Sequence, residues 1–160
     1  MPKNELYKAE SKEIALDIRE RIKTLQSFLI ERTDGVNIVT HQNSKPFPLE
    51  HTFADGIYVR QMSMNKDSLV VGAIHNHLHV WFLMSGHITV ATEDESNEYI
   101  APCHVLATPG TKRVIYANED SVFVNVHKNP SNCQDIEELE KEIVSATFED
   151  YQEYLNKNNV

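Results

Sequence analysis

Three histidines stand at alternate positions in Ile74-His75-Asn76-His77-Leu78-His79. A neutral imidazole is a common nitrogen ligand for zinc, iron, nickel, copper and manganese. In an extended strand, residues i, i+2 and i+4 share one face, so His75, His77 and His79 would project together. Neighbouring imidazoles on that face start about 6.6 Å apart at their bases and can tilt onto one ion. His75 and His79 start about 13 Å apart, so all three share an ion only if the strand bends. The alternatives to a metal are a proton-sharing histidine cluster and an anion pocket.

A further ligand has to come from another strand. His127 is the first candidate, because it ends an alternating run in which Phe123, Asn125 and His127 share a face. His51, His87 and His104 are the alternatives, although each of these, like His41, reads more simply as a hydrogen-bonded core or surface residue. Three or four neutral imidazoles would leave the full 2+ charge of an ion uncancelled, which attracts a small anion such as a carboxylate or phosphate. Lys112 and Arg113 would add to that pull, arginine by a two-pronged grip. Arg60 and Tyr58 share a face of a separate strand and complete the set of candidate ligand-binding residues. An inward Arg60 needs a partner, since an unpaired buried charge is costly. Trp81, Phe82 and Tyr116 read as core or subunit interface. Cys103 and His104 are adjacent on a strand and face opposite ways, which argues against a nucleophile pair. No phosphate loop, nucleophile elbow or acidic pair is present, so no catalytic residue is assigned.

The elements that position these side chains are legible from periodicity. Ile14, Ile18, Ile22, Leu25 and Leu29 form one apolar stripe of a helix over 5–32, stopped at Thr33-Asp34-Gly35. From Val36 to His127 the period becomes two. Strands are expected at Val36–Thr40, Gly56–Met62, Leu69–Ile74, the histidine segment, His87–Thr92, Tyr99-Ile100, Val105–Ala107, Arg113–Tyr116 and Ser121–His127. Lys45-Pro46-Phe47-Pro48-Leu49 is a rigid connector and Ser85-Gly86 a hairpin turn. Many short strands at intervals of about eight to twelve residues indicate an all-β sandwich or barrel. A second helix is expected over 131–158, with Asp135 and Glu138 as a capping pair and Ile136, Leu139 and Ile143 inward. The expected organisation is an N-terminal helix (1–34), a β-barrel (35–130) and an acidic C-terminal helix (131–160).

Composition narrows the partners. The net charge is −9, and residues 131–160 hold eight acidic against two basic groups. No basic stripe exists for gripping nucleic-acid phosphates, and the acidic tail would be repelled by anionic membranes. No apolar run is long enough to span a bilayer, and the first residues lack a signal-peptide pattern. Two cysteines without metal or redox spacing fit a reduced, cytoplasmic protein.

The section from Gly56 to His127 resembles the cupins, small metal-binding β-barrels. His75-Asn76-His77 and Val80–Gly86 are similar to the first cupin motif, with His79 in the place of its glutamate. Ala107–Arg113 through Asn118-Glu119-Asp120 is similar to the second motif and keeps its Pro and Asn. Arg113 or Val114 stands where that motif has histidine. The resemblance implies a mainly β, single-domain cupin, a double-stranded β-helix or jelly-roll barrel, with helices at both termini. It also implies a turn between the first two histidines and His79, which brings His79 back to the pair; with His127 as the first candidate from another strand, the expected metal set is His75, His77, His79 and His127. The ion would be a divalent transition metal (Fe, Zn, Ni or Mn). A closer likeness, in Pro109–Tyr116, Ser121–His127 and the Glu-rich helix, is to small cupins of bacteriophage genomes. That places the protein in a host cytoplasm as an accessory protein, and cupins commonly form homo-oligomers through terminal elements. The function expected is a metal-dependent cupin enzyme acting on a small anion. Its alternatives are a non-catalytic ligand- or partner-binding module and an assembly protein.

Overall fold

The computed structural model describes residues 3–31, 38–40 and 48–158. Thr33-Asp34-Gly35, His41 and most of the proline-rich connector lie outside the described residues. Helix α1 spans Lys3–Glu31. Strands follow as β1 (Ile38–Thr40), β2 (Leu49–Ala54), β3 (Ile57–Met64), β4 (Leu69–Val71), β5 (Ile74–His75), β6 (His79–Ser85), β7 (His87–Ala91), β8 (Ser96–Ile100), β9 (Cys103–Ala107), β10 (Val114–Ala117) and β11 (Ser121–Lys128). Helix α2 (Ile136–Ile143), strand β12 (Val144–Ser145) and helix α3 (Phe148–Asn158) close the described chain.

Two five-stranded sheets run in the orders β1-β4-β10-β7-β8 and β2-β3-β11-β6-β9. Every pairing within them is antiparallel except β1 with β4. Apart from the β2–β3 and β7–β8 hairpins, and β5, which pairs with β12 alone, the chain passes back and forth between the two sheets, as in a jelly roll or double-stranded β-helix. Alternation decides what lies between them. Met64, Trp81, Leu83 and Phe123 of one sheet meet Val70, Ile88, Val90 and Ile115 of the other in one buried core. The protein is a mainly β barrel with helices at both ends.

Helix α1 packs against β4 and β10, and α2 against Tyr58 of β3. Ile22 and Leu29 of α1 are buried, with Ile18 and Leu25 beside them, against Leu69, Val71 and Val114. Ile14, the first member of the expected stripe, is 60% exposed and lies beyond the packed segment. The Arg19 guanidinium pairs with Glu93 and stacks on the Phe148 ring at 4.5 Å, so α1 is tied to both the β7–β8 turn and α3. Among the described residues, no helix is long and apolar enough to cross a membrane.

Two expectations are corrected. The helix expected over 131–158 is two helices with a strand between them. Asp135 caps α2 by accepting from the Glu138 N–H, as its pairing with Glu138 suggests. A second, reciprocal cap then begins α3: Thr147 N–H donates to Asp150 Oδ2 and Asp150 N–H to Thr147 Oγ1. The residues freed between the caps become β12, which pairs Val144 with His75 and Ser145 with Ile74. The strand expected from Leu69 to Ile74 is likewise interrupted, at Gly72-Ala73, so β4 and β5 join different sheets.

The Ser85-Gly86 turn depends on its glycine. Gly86 has φ +89°, and a Cβ there would run into the Ser121 side chain and the Asp120 carbonyl. Gly86→Ala is expected to cost about 3 kcal/mol and to lower the melting temperature by roughly 10 °C, measured calorimetrically. A shift under about 2 °C would show that the turn relaxes freely.

Candidate metal centre

The chain bends inside the histidine segment. His75 ends β5, residues 76–78 leave the strand, and His79 begins β6. That bend folds His79 back over His75, with ring centroids 4.1 Å apart. His127 reaches the same point from β11, 4.8 Å from the His79 ring and 5.1 Å from the His75 ring. The metal-ligating atoms of these three residues lie within 4.8 Å of one another. Two nitrogens on one tetrahedral ion sit about 3.4 Å apart, so an ion would draw each ring in by less than about 1 Å.

His77 takes a different place from the one its spacing indicates. Its ring is 6.3 Å from that of His79, and its Nε2 is 3.3 Å from His127 Nδ1. The expected pairing of His75 with His77 on one straight face is therefore replaced by His75 with His79. His77 contacts the ring of His127 from the side and fixes that ring's orientation.

Hydrogen bonding sets the tautomers. His79 Nδ1 lies 3.4 Å from the His77 carbonyl, which can only accept, so Nδ1 carries the proton. His79 Nε2 then presents a lone pair, and it is buried with no hydrogen-bond partner. His75 Nδ1 is buried and partnerless in the same way. Buried polar atoms are normally satisfied, and two such atoms converging with a third imidazole fit a shared cation.

Electrostatics agrees with this donor set. Burial is the main cause that holds every cluster imidazole below its ordinary range. His75 is pushed well below it, with His79, His127 and Arg113 adding to the effect. His79 falls to about 4, with Arg113 as the next cause, and His127 to about 3, with His79 and His77 next. His77 is lowered by burial and then by Lys128. At neutral pH the cluster rings are uncharged, the form a metal would need.

Neighbouring residues hold the cluster in place. Gly110 N–H donates to the His75 carbonyl (3.0 Å), which ties the Pro109-Gly110 turn to the centre. Asn76 N–H donates to the Ile143 carbonyl, and Asn76 Oδ1 accepts from Ser145 Oγ (2.6 Å). These bonds fasten the C-terminal segment to the bend. Asn76 and Ser145 were not singled out by sequence reasoning, because their partners lie about seventy residues apart.

The remaining candidates fall into separate roles. Tyr58 is fully buried, its hydroxyl 2.8 Å from His51 Nδ1 and its ring stacked on His127 at 5.9 Å. Burial raises its hydroxyl to about 12, so it backs His127 as a neutral phenol. Lys112 is buried and donates from Nζ to the Ala146 carbonyl (3.0 Å), and burial lowers it to about 8. It therefore secures the end of β12. Arg60 and Arg113 line a cavity of about 360 Å³ beside His75, walled by Trp81, Phe123 and Ile115 and bordered by α2. Arg60 Nη1 pairs with Glu140 at 3.1 Å. The side chains of His87 and Glu98 meet at 3.2 Å, while His104 is exposed on β9, so neither approaches the cluster. Trp81 is core; Tyr116 is 39% exposed and so is not core, and its hydroxyl donates to Asp67.

No protein-family model matches the chain, and no curated protein matches it. It is similar to solved cupin barrels. A Cupin 2 conserved barrel domain protein from Salinispora arenicola matches with TM-score 0.46 at 12% identity, covering 54% of this chain and 79% of that one. A cupin 2 domain-containing protein from Halorhodospira halophila matches with TM-score 0.46 at 18% identity, covering 51% and 63%. A Klebsiella pneumoniae protein with a double-stranded beta-helix domain matches with TM-score 0.47 at 15% identity, covering 54% and 80%.

Proposed function

We propose that this chain is a metal-binding protein of cupin type that holds one divalent transition ion on His75, His79 and His127 and takes a small anion beside it. The observation that carries this reading is the pair of buried, partnerless nitrogens, His75 Nδ1 and His79 Nε2, converging with His127. In this arrangement His77 steadies His127, and Tyr58 backs the same ring. A bound ion supplies a Lewis acid that polarises an oxygen of ligand or water. With no carboxylate in the ligand group, its charge would favour an anionic companion.

A partly open cavity that adjoins the cluster supports an enzyme. A non-catalytic binding role is the second reading. It is favoured by Glu140, a cavity carboxylate already engaged by Arg60 and so poorly placed as a base. The likeness to phage cupins supports an accessory role in a host cytoplasm. Exposed Ile14 and Leu16 on α1 support association of copies.

Metal analysis of protein purified without an affinity tag tests this function. The expected result is about one equivalent of transition metal per chain, present as isolated or taken up from zinc or iron solution. Less than about a tenth of an equivalent after such incubation would overturn it.

A further inference from the structure

The cavity beside the imidazoles holds two arginines in different electrical states. Arg60 on β3 is ion-paired with Glu140 of α2. Arg113, immediately before β10, is only 9% exposed, and among the described residues no carboxylate pairs with it. Burial lowers Arg113 to about 10, which still leaves it charged at neutral pH. Its charge also weighs on His75 and His79. A buried guanidinium without a counter-ion is costly, and a bound anion would relieve that cost.

The rest of the wall limits what the anion can be. Met62, Val70, Trp81, Ile115 and Phe123 supply an apolar surface. Glu137 and Glu140 border the cavity from α2 and repel additional negative charge. The charge of Arg60 is already balanced by Glu140, and that of Lys141, the other cation on this wall, by Glu138.

We propose that the cavity binds a small monocarboxylate with an apolar body, its carboxylate on Arg113 and its hydrocarbon part against Trp81, Ile115 and Phe123. This rests on the small-anion part of the reading above and deepens it by naming the ligand class. One unpaired guanidinium selects one carboxylate by a two-pronged grip, and the Arg60–Glu140 and Lys141–Glu138 pairs leave no uncompensated cation for a second.

Trp81 is the sole tryptophan and lines the cavity, so its fluorescence reports occupancy directly. Hexanoate, hexan-1-ol and adipate are titrated into wild-type protein, both chelator-treated and zinc-loaded, with metal content measured on the same samples. Hexanoate is expected to bind at least about tenfold more tightly than either control in both forms. Arg113→Gln is expected to remove that advantage while hexan-1-ol binding is unchanged. Glu140→Gln is expected to free Arg60 and raise adipate affinity by about tenfold. Hexanoate no tighter than hexan-1-ol, or adipate as tight as hexanoate, would overturn the proposal in the wild-type protein alone, whatever the variants do. A preference seen only with zinc would assign the carboxylate to the ion and overturn it too. A preference for hexanoate in protein that takes up no metal supports this proposal while overturning the metal reading.

Discussion

His79→Leu is expected to weaken zinc binding at least a hundredfold. Leucine roughly keeps the buried volume and removes a ligating nitrogen, so the loss is chemical more than steric. Groups that merely orient a metal ligand change affinity about 10- to 100-fold, and a direct ligand changes it by more. His77→Ala, which removes the contact on His127 Nδ1, is expected to fall in the 10- to 100-fold range. His51→Ala, outside the ligand group, is expected to change it little. Zinc at about a hundred times its dissociation constant stabilises wild-type protein by about 2.7 kcal/mol, raising its melting temperature by roughly 5–10 °C. That increment is expected to vanish in His79→Leu. If His79→Leu takes up zinc as tightly as wild type does, the assignment of His79 to the ion is wrong.

The histidine row and the barrel were legible in the sequence because both are period-two signals. Strands β3, β7 and β11 fall close to where alternation places them, and Phe123, Asn125 and His127 do share the inward face. Periodicity also identified Tyr58 and Arg60 as inward neighbours. It could not tell that Tyr58 is spent on His51 and His127 while Arg60 is spent on Glu140. Those partners lie on other elements, and nothing local encodes them. Strand β2 was legible in principle, since Leu49, His51 and Phe53 alternate with Glu50, Thr52 and Ala54. The adjoining prolines favour a connector on local grounds.

The assignment of roles among the histidines needed the bend at residues 76–78. Regular alternation treats His75, His77 and His79 as equivalent, whereas the bend reverses the order of proximity and leaves His77 outside the group. The bend is stabilised from far along the chain. Asn76 is held by Ile143 and Ser145, and β12 lies between the end of α2 and the Thr147–Asp150 cap that starts α3. The Thr-x-x-Asp spacing was visible in the sequence and was the one local sign of that break. Its consequence was not visible, because it depends on which distant strand edge β12 meets. The C-terminal segment is thus part of the candidate site as well as an appendage of the barrel.

Metal-free protein is expected to lose stability steeply between pH 7 and pH 5. His79 and His127 titrate near 4 and 3 in the folded state, against an ordinary value of 6.5 once the chain unfolds. Over the interval between those values the unfolded chain binds protons that the folded chain refuses, so stability falls as pH falls. Their contribution is complete above pH 6.5 and disappears as pH drops through 4 and then 3. Each imidazole removes roughly 2 kcal/mol between pH 7 and pH 5, and His75 acts in the same direction. Urea denaturation at pH 7, 6 and 5 in the presence of chelator measures this, and an unfolding free energy that stays flat would contradict it. His79→Leu is expected to have a shallower pH slope than wild type, since one refused proton is gone. Zinc affinity of the folded protein should respond to acid far less. Protons compete for the ligands only near pH 4, so affinity is expected to change no more than about threefold from pH 7 to pH 5. A ligand with an ordinary imidazole pKa would lose about thirtyfold over the same range. The same burial that makes the empty cluster fragile in acid keeps its nitrogens available to a cation.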